Sequence, residues 1–169
     1  MNMSRNVLVF AEQKNGKLRH VSFECLTLAR RVAQGGNVTA VLIGEEKPEH
    51  LEQLGKYGAE KVIVMDDLSL RQYTPDAYKQ AMKQAIDAAS PDVVLLGHTG
   101  NGKDVSPRLA AHMGTGLISD CIDVQMDGDE LIFIRPIYSG KAMQKKKFAG
   151  GNGMMATIRP NNASAAQHP

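Results

Sequence analysis

Tryptophan is absent, tyrosine and phenylalanine number 4 each, and only 2 of the 169 residues are cysteine. So few aromatics leave little with which to stack the bases of a single strand. The cysteines, Cys25 and Cys121, form no C-x-x-C pattern and have no histidine beside them. That argues against a secreted disulfide framework and against a zinc site, and leaves two thiols in a reducing compartment as the expectation. Charge of one sign is lacking too: Lys plus Arg is 20 against 18 for Asp plus Glu, a net of +2. Counterion release needs a concentrated basic surface, so no nucleic acid partner is expected. No apolar run approaches the ~20 residues that cross a bilayer, so no direct membrane insertion is expected. The first run, Val7 to Ala11, is too short for a signal peptide and ends in Glu12. A soluble cytoplasmic protein is the expectation.

What remains is an ordinary globular balance, 43% hydrophobic and 22% charged, with a length that suits one domain. Short apolar runs alternate with helical patterns. Val7 to Ala11, Val38 to Ile43, Lys61 to Met65 and Val93 to Leu96 read as buried strands. Between them, Ser22 to Ala33 reads as a helix capped by Ser22, a short helix opens at Pro48, and Thr74-Pro75 starts a helix with the period of Tyr78, Ala81, Met82, Ala85 and Ile86. Ser106-Pro107 reads as the start of a further helix, running to Gly114. This order predicts an α/β fold: an open, mainly parallel twisted sheet with helices on both faces, Rossmann-like. After about residue 120 the texture changes. Leu131 to Ile134, Lys141 to Phe148 and Met154 to Ile158 are expected as antiparallel additions to the sheet edge. Residues 161–169 read as a linker or tail, leaving 1–160 as the domain.

In open α/β sheets, ligands bind beyond the carboxyl ends of the strands. There the chain carries Gly97-His98-Thr99-Gly100-Asn101-Gly102-Lys103-Asp104. Gly97, Gly102 and Lys103 fall in P-loop register, but Asp104 stands where a hydroxyl would hold magnesium, and an acid there opposes a triphosphate. Two readings stay open. Glycine N–H groups at Gly97, Gly100 and Gly102, helped by Thr99, Lys103 and Arg108, form a weak nucleotide or anion loop. Alternatively the segment is a tight connector with solvated charges. His20, His50, His98, His112 and His168 are scattered, and no spacing argues a catalytic set, so no catalytic residue and no metal site is assigned. The Asp66-Asp67 pair reads as a strand-end cap. Lys145, Lys146 and Lys147 are either a solvated hairpin or a docking patch for an acidic partner.

Three stretches taken together resemble the alpha subunit of electron transfer flavoprotein. The first is Val7-Leu8-Val9-Phe10-Ala11-Glu12 with Gly16-Lys17-Leu18 and Val21-Ser22. The second is Leu95-Leu96-Gly97-His98-Thr99 with Gly102-Lys103-Asp104 and Ser106-Pro107-Arg108-Leu109-Ala110. The third is Asp120-Cys121, then Arg135-Pro136-Ile137-Tyr138-Ser139-Gly140-Lys141-Ala142, then Thr157-Ile158-Arg159-Pro160. The resemblance covers residues 5–160. It implies the N-terminal, adenine-nucleotide-hydrolase-like domain of a subunit that pairs with a beta subunit. That heterodimer carries FAD and passes electrons from dehydrogenases to a quinone oxidoreductase or another respiratory acceptor, so this chain is expected to be an electron-carrier part, not an enzyme. The resemblance places the FAD site in a C-terminal domain that is expected to be absent here, so this chain is expected to bind FAD weakly or not at all. Residues 130–160 are expected to meet the beta subunit, through Arg135, Tyr138, Lys141, Lys145, Lys146 and Lys147. The alternatives are a stand-alone adenine-nucleotide binding module and a pure interaction scaffold.

Overall fold

The computed structural model describes residues 4–147, 153–161 and 165–167. The chain runs β1 (Val7–Ala11), β2 (Gln13–Lys14), β3 (Lys17–Leu18), α1 (His20–Ala33), β4 (Val38–Ile43), α2 (Pro48–Lys56), β5 (Lys61–Met65), a 3₁₀ turn (Leu68–Leu70), α3 (Pro75–Ala89), β6 (Val93–Gly97) and α4 (Gly100–Met113). Then follow β7 (Leu117–Cys121), β8 (Asp123–Asp127), β9 (Glu130–Ile137), β10 (Ala142–Lys146) and β11 (Met154–Ile158).

A six-stranded sheet has the order β5-β4-β1-β6-β11-β7, and all its pairings are parallel. Because strand side chains alternate, Val7, Val9 and Ala11 face one layer and Leu8 and Phe10 the other. The first layer holds α1, through Cys25, Leu26, Leu28, Ala29 and Val32, and Leu54 of α2. The second holds Ala81, Met82, Ala85 and Ile86 of α3 with Val105, Leu109 and Ala110 of α4. The strands β1, β4 and β6 are buried along their whole length, which is why they carry continuous apolar runs without polar alternation.

The open parallel α/β architecture expected from the alternation is present, and antiparallel strands do follow residue 120. They form a separate three-stranded sheet, β10-β9-β8, not extensions of the main one. Phe133, Val124 and Leu131 of this sheet are buried in the layer that α1 occupies. Met154–Ile158, expected among the antiparallel pieces, is instead parallel and lies between β6 and β7. Its Met155, Ala156, Thr157 and Ile158 are buried, as an interior strand requires. One sheet edge is β7, where Ser119 and Asp120 interrupt the apolar pattern that would announce a strand.

Two helix starts differ from the sequence pattern. The first helix begins at His20 after Arg19, and Ser22 lies inside it, its hydroxyl accepting the Glu12 N–H at 3.0 Å. The fourth begins at Gly100 with Thr99 as its N-cap, and Pro107 lies within it. The Thr99 hydroxyl caps the helix through the Gly102 N–H, and Pro107 sits in its interior, where its ring removes one backbone bond and crowds the carbonyl one turn earlier. Asp67 caps the 3₁₀ turn through the Ser69 N–H at 2.9 Å, as read from the sequence. Phe148, the end of an expected strand, lies outside the described residues. Of the expected linker 161–169, Asn161 and Ala166 lie against α1: the Asn161 N–H reaches the fully buried Glu24 at 3.2 Å, and Ala166 bonds Thr27 and Arg30.

Candidate functional site

The strand order reverses between β1 and β6: β1 leads through α1 to β4 on one side, while β6 lies on the other. Such a switch point opens a crevice at the carboxyl ends of the strands. Here it is a narrow cleft lined by Phe10, Ile43, Tyr78, Met82, Leu96 and Val105, with Glu12, Gln13, Asn101, Gly97 and Gly102 at its polar side. A second hollow, bounded by Glu12, Gln13, Lys14, Arg19, Gly100 and Asn101, continues from it.

Glu12 follows the end of β1 and organises this edge. Its Oε1 accepts the Thr99 hydroxyl at 2.6 Å, and its Oε2 lies 3.2 Å from Arg19 Nε. Thr99 is buried and its Oγ1 accepts the Gly102 N–H at 3.0 Å. A carboxylate therefore stands, through one hydroxyl, at the N-terminus of α4, the end of a helix that favours negative charge.

Of the residues picked out on the glycine segment, Gly97, Gly100 and Gly102 border these hollows. A side chain at Gly102 would sit 1.9 Å from the Gly97 carbonyl oxygen, and one at Gly97 would sit 2.7 Å from Val21. The glycines thus serve the close approach of β6, α1 and α4. Lys103 is exposed. Arg108 lies on the outer side of α4, 3.9 Å from Asp76 and 4.0 Å from Asp104, and Tyr73 donates its hydroxyl to Asp104. Neither cation lines the cleft. Glu12, Arg19, Gln13 and Asn101 were not signalled as site residues; the only cue to Glu12 was an acid closing an apolar strand.

A second cluster lies along the same edge. The Thr157 hydroxyl meets His98 Nδ1 at 2.9 Å and accepts the Asp120 N–H at 2.8 Å. The Asp120 carboxylate takes both Nε of Arg159, at 2.9 Å, and its Nη2. The Arg159 bond holds the Asp120 carboxyl below the usual carboxylate range. Burial, with help from Lys103, Arg159 and Arg135, holds the His98 imidazole below its ordinary value.

The residues expected at a partner interface divide between surfaces. Tyr138 is 78% exposed at the turn joining β9 and β10, and Lys141 is exposed beside it. Alternation puts Lys145, paired with Ile134, on the same face as Met143, whereas Lys146, paired with Phe133, shares a face with Arg135. Lys147 pairs with Glu130 at 3.0 Å.

The family model described as the electron transfer flavoprotein domain matches residues 7–168. The chain belongs to the electron transfer flavoprotein domain family. Among its relatives, the electron transfer flavoprotein subunit alpha of Bacillus subtilis is 45% identical over 165 residues, covering 98% of this chain and 50% of that protein. Protein FixB of Clostridium saccharobutylicum is 38% identical over 160 residues, 92% of this chain and 48% of that one. Subunit LctC of a lactate dehydrogenase (NAD(+),ferredoxin) of Acetobacterium woodii is 30% identical over 161 residues, 94% and 38%. The chain spans about half the length of the curated relatives it matches. In this electron transfer flavoprotein domain, the switch point does not fit the pyrophosphate of a flavin dinucleotide. Glu12 occupies the charged position at the N-terminus of α4, and the Gly102 N–H is already taken by Thr99.

Proposed function

We propose that the chain serves as the N-terminal domain of an electron transfer flavoprotein alpha-type subunit, an electron-carrier part and not a catalyst. It joins a beta-type subunit in a heterodimer that carries FAD and passes electrons from dehydrogenases to a respiratory quinone acceptor. Within that complex this domain is scaffold and docking surface, and the flavin is held by residues beyond it. The observation that carries this reading is the 45% identity to an alpha subunit over 98% of the chain. The engagement of the α4 N-terminus by Thr99 and Glu12 supports it and disfavours the alternative of a stand-alone adenine-nucleotide module.

The docking surface is the β9–β10 hairpin, where Tyr138, Met143, Lys141 and Lys145 present an exposed apolar and basic face. Aromatic and Met side chains suit interface centres, and rim charges set the association rate. Mixing the chain with a beta-type subunit of the family and following association by surface resonance tests this. Tyr138→Ala is expected to speed dissociation, and Lys141→Glu with Lys145→Glu to slow association and flatten its salt dependence. Unchanged rates in both variants would refute the assignment of this face. Failure of the wild-type chain to associate at all would refute the alpha-type reading itself.

A further inference from the structure

The carboxyl edge beyond the switch point carries a row of cationic side chains that the scaffold reading leaves without a task. Backbone bonds set their order. The His98 N–H bonds the Ile158 carbonyl at 2.7 Å, so His98 stands beside Arg159. The Arg159 N–H bonds the Cys121 carbonyl at 2.8 Å, and the Ile122 N–H bonds the Ile134 carbonyl at 2.8 Å. Arg159 and Arg135 therefore flank the end of β7 from two sides. Lys146 lies on the Arg135 face of the small sheet, and both cations act on the Cys121 thiol between the sheets. Lys103, in the first turn of α4 five residues after His98, is exposed, and its charge acts on the His98 imidazole.

The Asp120 carboxylate, beside this group, is engaged by Arg159. Arg135 has a buried Nε with no hydrogen-bond partner among the described residues. A buried guanidinium nitrogen without an acceptor costs free energy that a bound oxyanion would recover. The Asp120 pair uses Nε and Nη2 of Arg159 and leaves Nη1 outside that fork, and Lys103 is exposed. Guanidinium forks match the geometry of phosphate, and an edge with several cations and one carboxylate draws anions toward it.

We propose that His98, Lys103, Arg135 and Arg159 form a binding site for the phosphate group of a small phosphorylated ligand, set beyond β6, β11 and β7 and separate from the cleft that Glu12 lines. Arg135 and Arg159 grip the phosphate oxygens, Lys103 adds charge from α4, and His98, oriented by Thr157, donates from its outer nitrogen. Asp120 fixes the Arg159 fork and does not touch the ligand.

The test uses the whole 169-residue chain, with inorganic phosphate and pyrophosphate as probes and acetate as the comparison, at constant ionic strength. The His98 imidazole resonances and calorimetry report binding. Phosphate is expected to shift the His98 resonances saturably and to raise the pH at which they titrate. Arg135→Gln is expected to weaken phosphate by about tenfold or more, a loss of one guanidinium contact. Lys103→Gln, at an exposed position, weakens it less and keeps the fold. Lys79→Gln, on α3, leaves it unchanged. A non-saturable response, equal loss in Lys79→Gln, or no loss in both Arg135→Gln and Lys103→Gln would overturn the site. Equal binding of acetate would overturn the phosphate assignment and point to a protein carboxylate instead.

Discussion

Glu12 and Thr99 join the two sides of the switch point: the Thr99 hydroxyl donates to Glu12 Oε1 at 2.6 Å while accepting from the Gly102 N–H. One side chain thus caps α4, and another, on the loop after β1, supplies the negative charge that the helix end favours. The pair turns a position used elsewhere for ligands into a joint between β1 and α4.

Removing either partner is expected to cost stability. Glu12→Ala loses a hydrogen bond to a charged group and is expected to destabilise by about 1.5–3 kcal/mol. Thr99→Ala loses that bond and the cap, and is expected to fall in the same range. Because the two losses share one interaction, a double-mutant cycle in urea unfolding is expected to show non-additivity of about 0.5 kcal/mol or more. Additive losses would show that the bond contributes nothing.

The glycines of the segment divide by what surrounds them. Gly102→Ala puts a methyl group 1.9 Å from the Gly97 carbonyl oxygen, which neither backbone can yield cheaply. Gly100→Ala meets nothing within 4 Å and gains helix propensity. Thermal unfolding is expected to drop clearly for the first and to stay level or rise for the second.

Asp120 gives the fold an acid-sensitive bond. Its folded carboxyl is held down mainly by Arg159. A depressed acid contributes stability that is present above its unfolded value of about 4 and is lost as pH falls through the folded value. Asp120→Asn keeps a residue suited to the left-handed backbone there, φ 65°. The stability difference between wild type and Asp120→Asn, from urea unfolding at a series of pH values, is expected to be largest near neutrality and to shrink below about pH 4. A constant difference would remove Asp120 as the source.

The thiols are expected to be inert in the folded chain. Burial pushes the Cys121 thiol up to about 12 and raises Cys25 further still. Both are fully buried. Iodoacetamide at mildly alkaline pH is expected to label neither until denaturant is added, as read by mass spectrometry. Fast labelling of the native protein would contradict their burial.

Much of the fold was legible along the chain. The strands β1, β4, β5 and β6 announce themselves because each is apolar on both faces, and Thr74-Pro75 starts α3 where the pair predicts. The helix at Gly100 was hidden, because glycines in a first turn read as loop until the Gly97 carbonyl is seen lying against them. The lysine run read as one patch, whereas strand alternation sends Lys145 and Lys146 to opposite faces.

The sequence by itself determined the local elements and the parallel class, since burial on both faces and helical period are written in neighbouring residues. Tertiary structure decided the rest. Nothing near Met154–Ile158 tells a strand that it will enter between β6 and β7, after an excursion through a separate sheet. Strand order rests on pairings between segments far apart in the chain, such as β11 with β6 and β7, which no local pattern encodes. For the same reason Glu12 and Thr99, 87 positions apart, form a site only when β1 and β6 lie side by side.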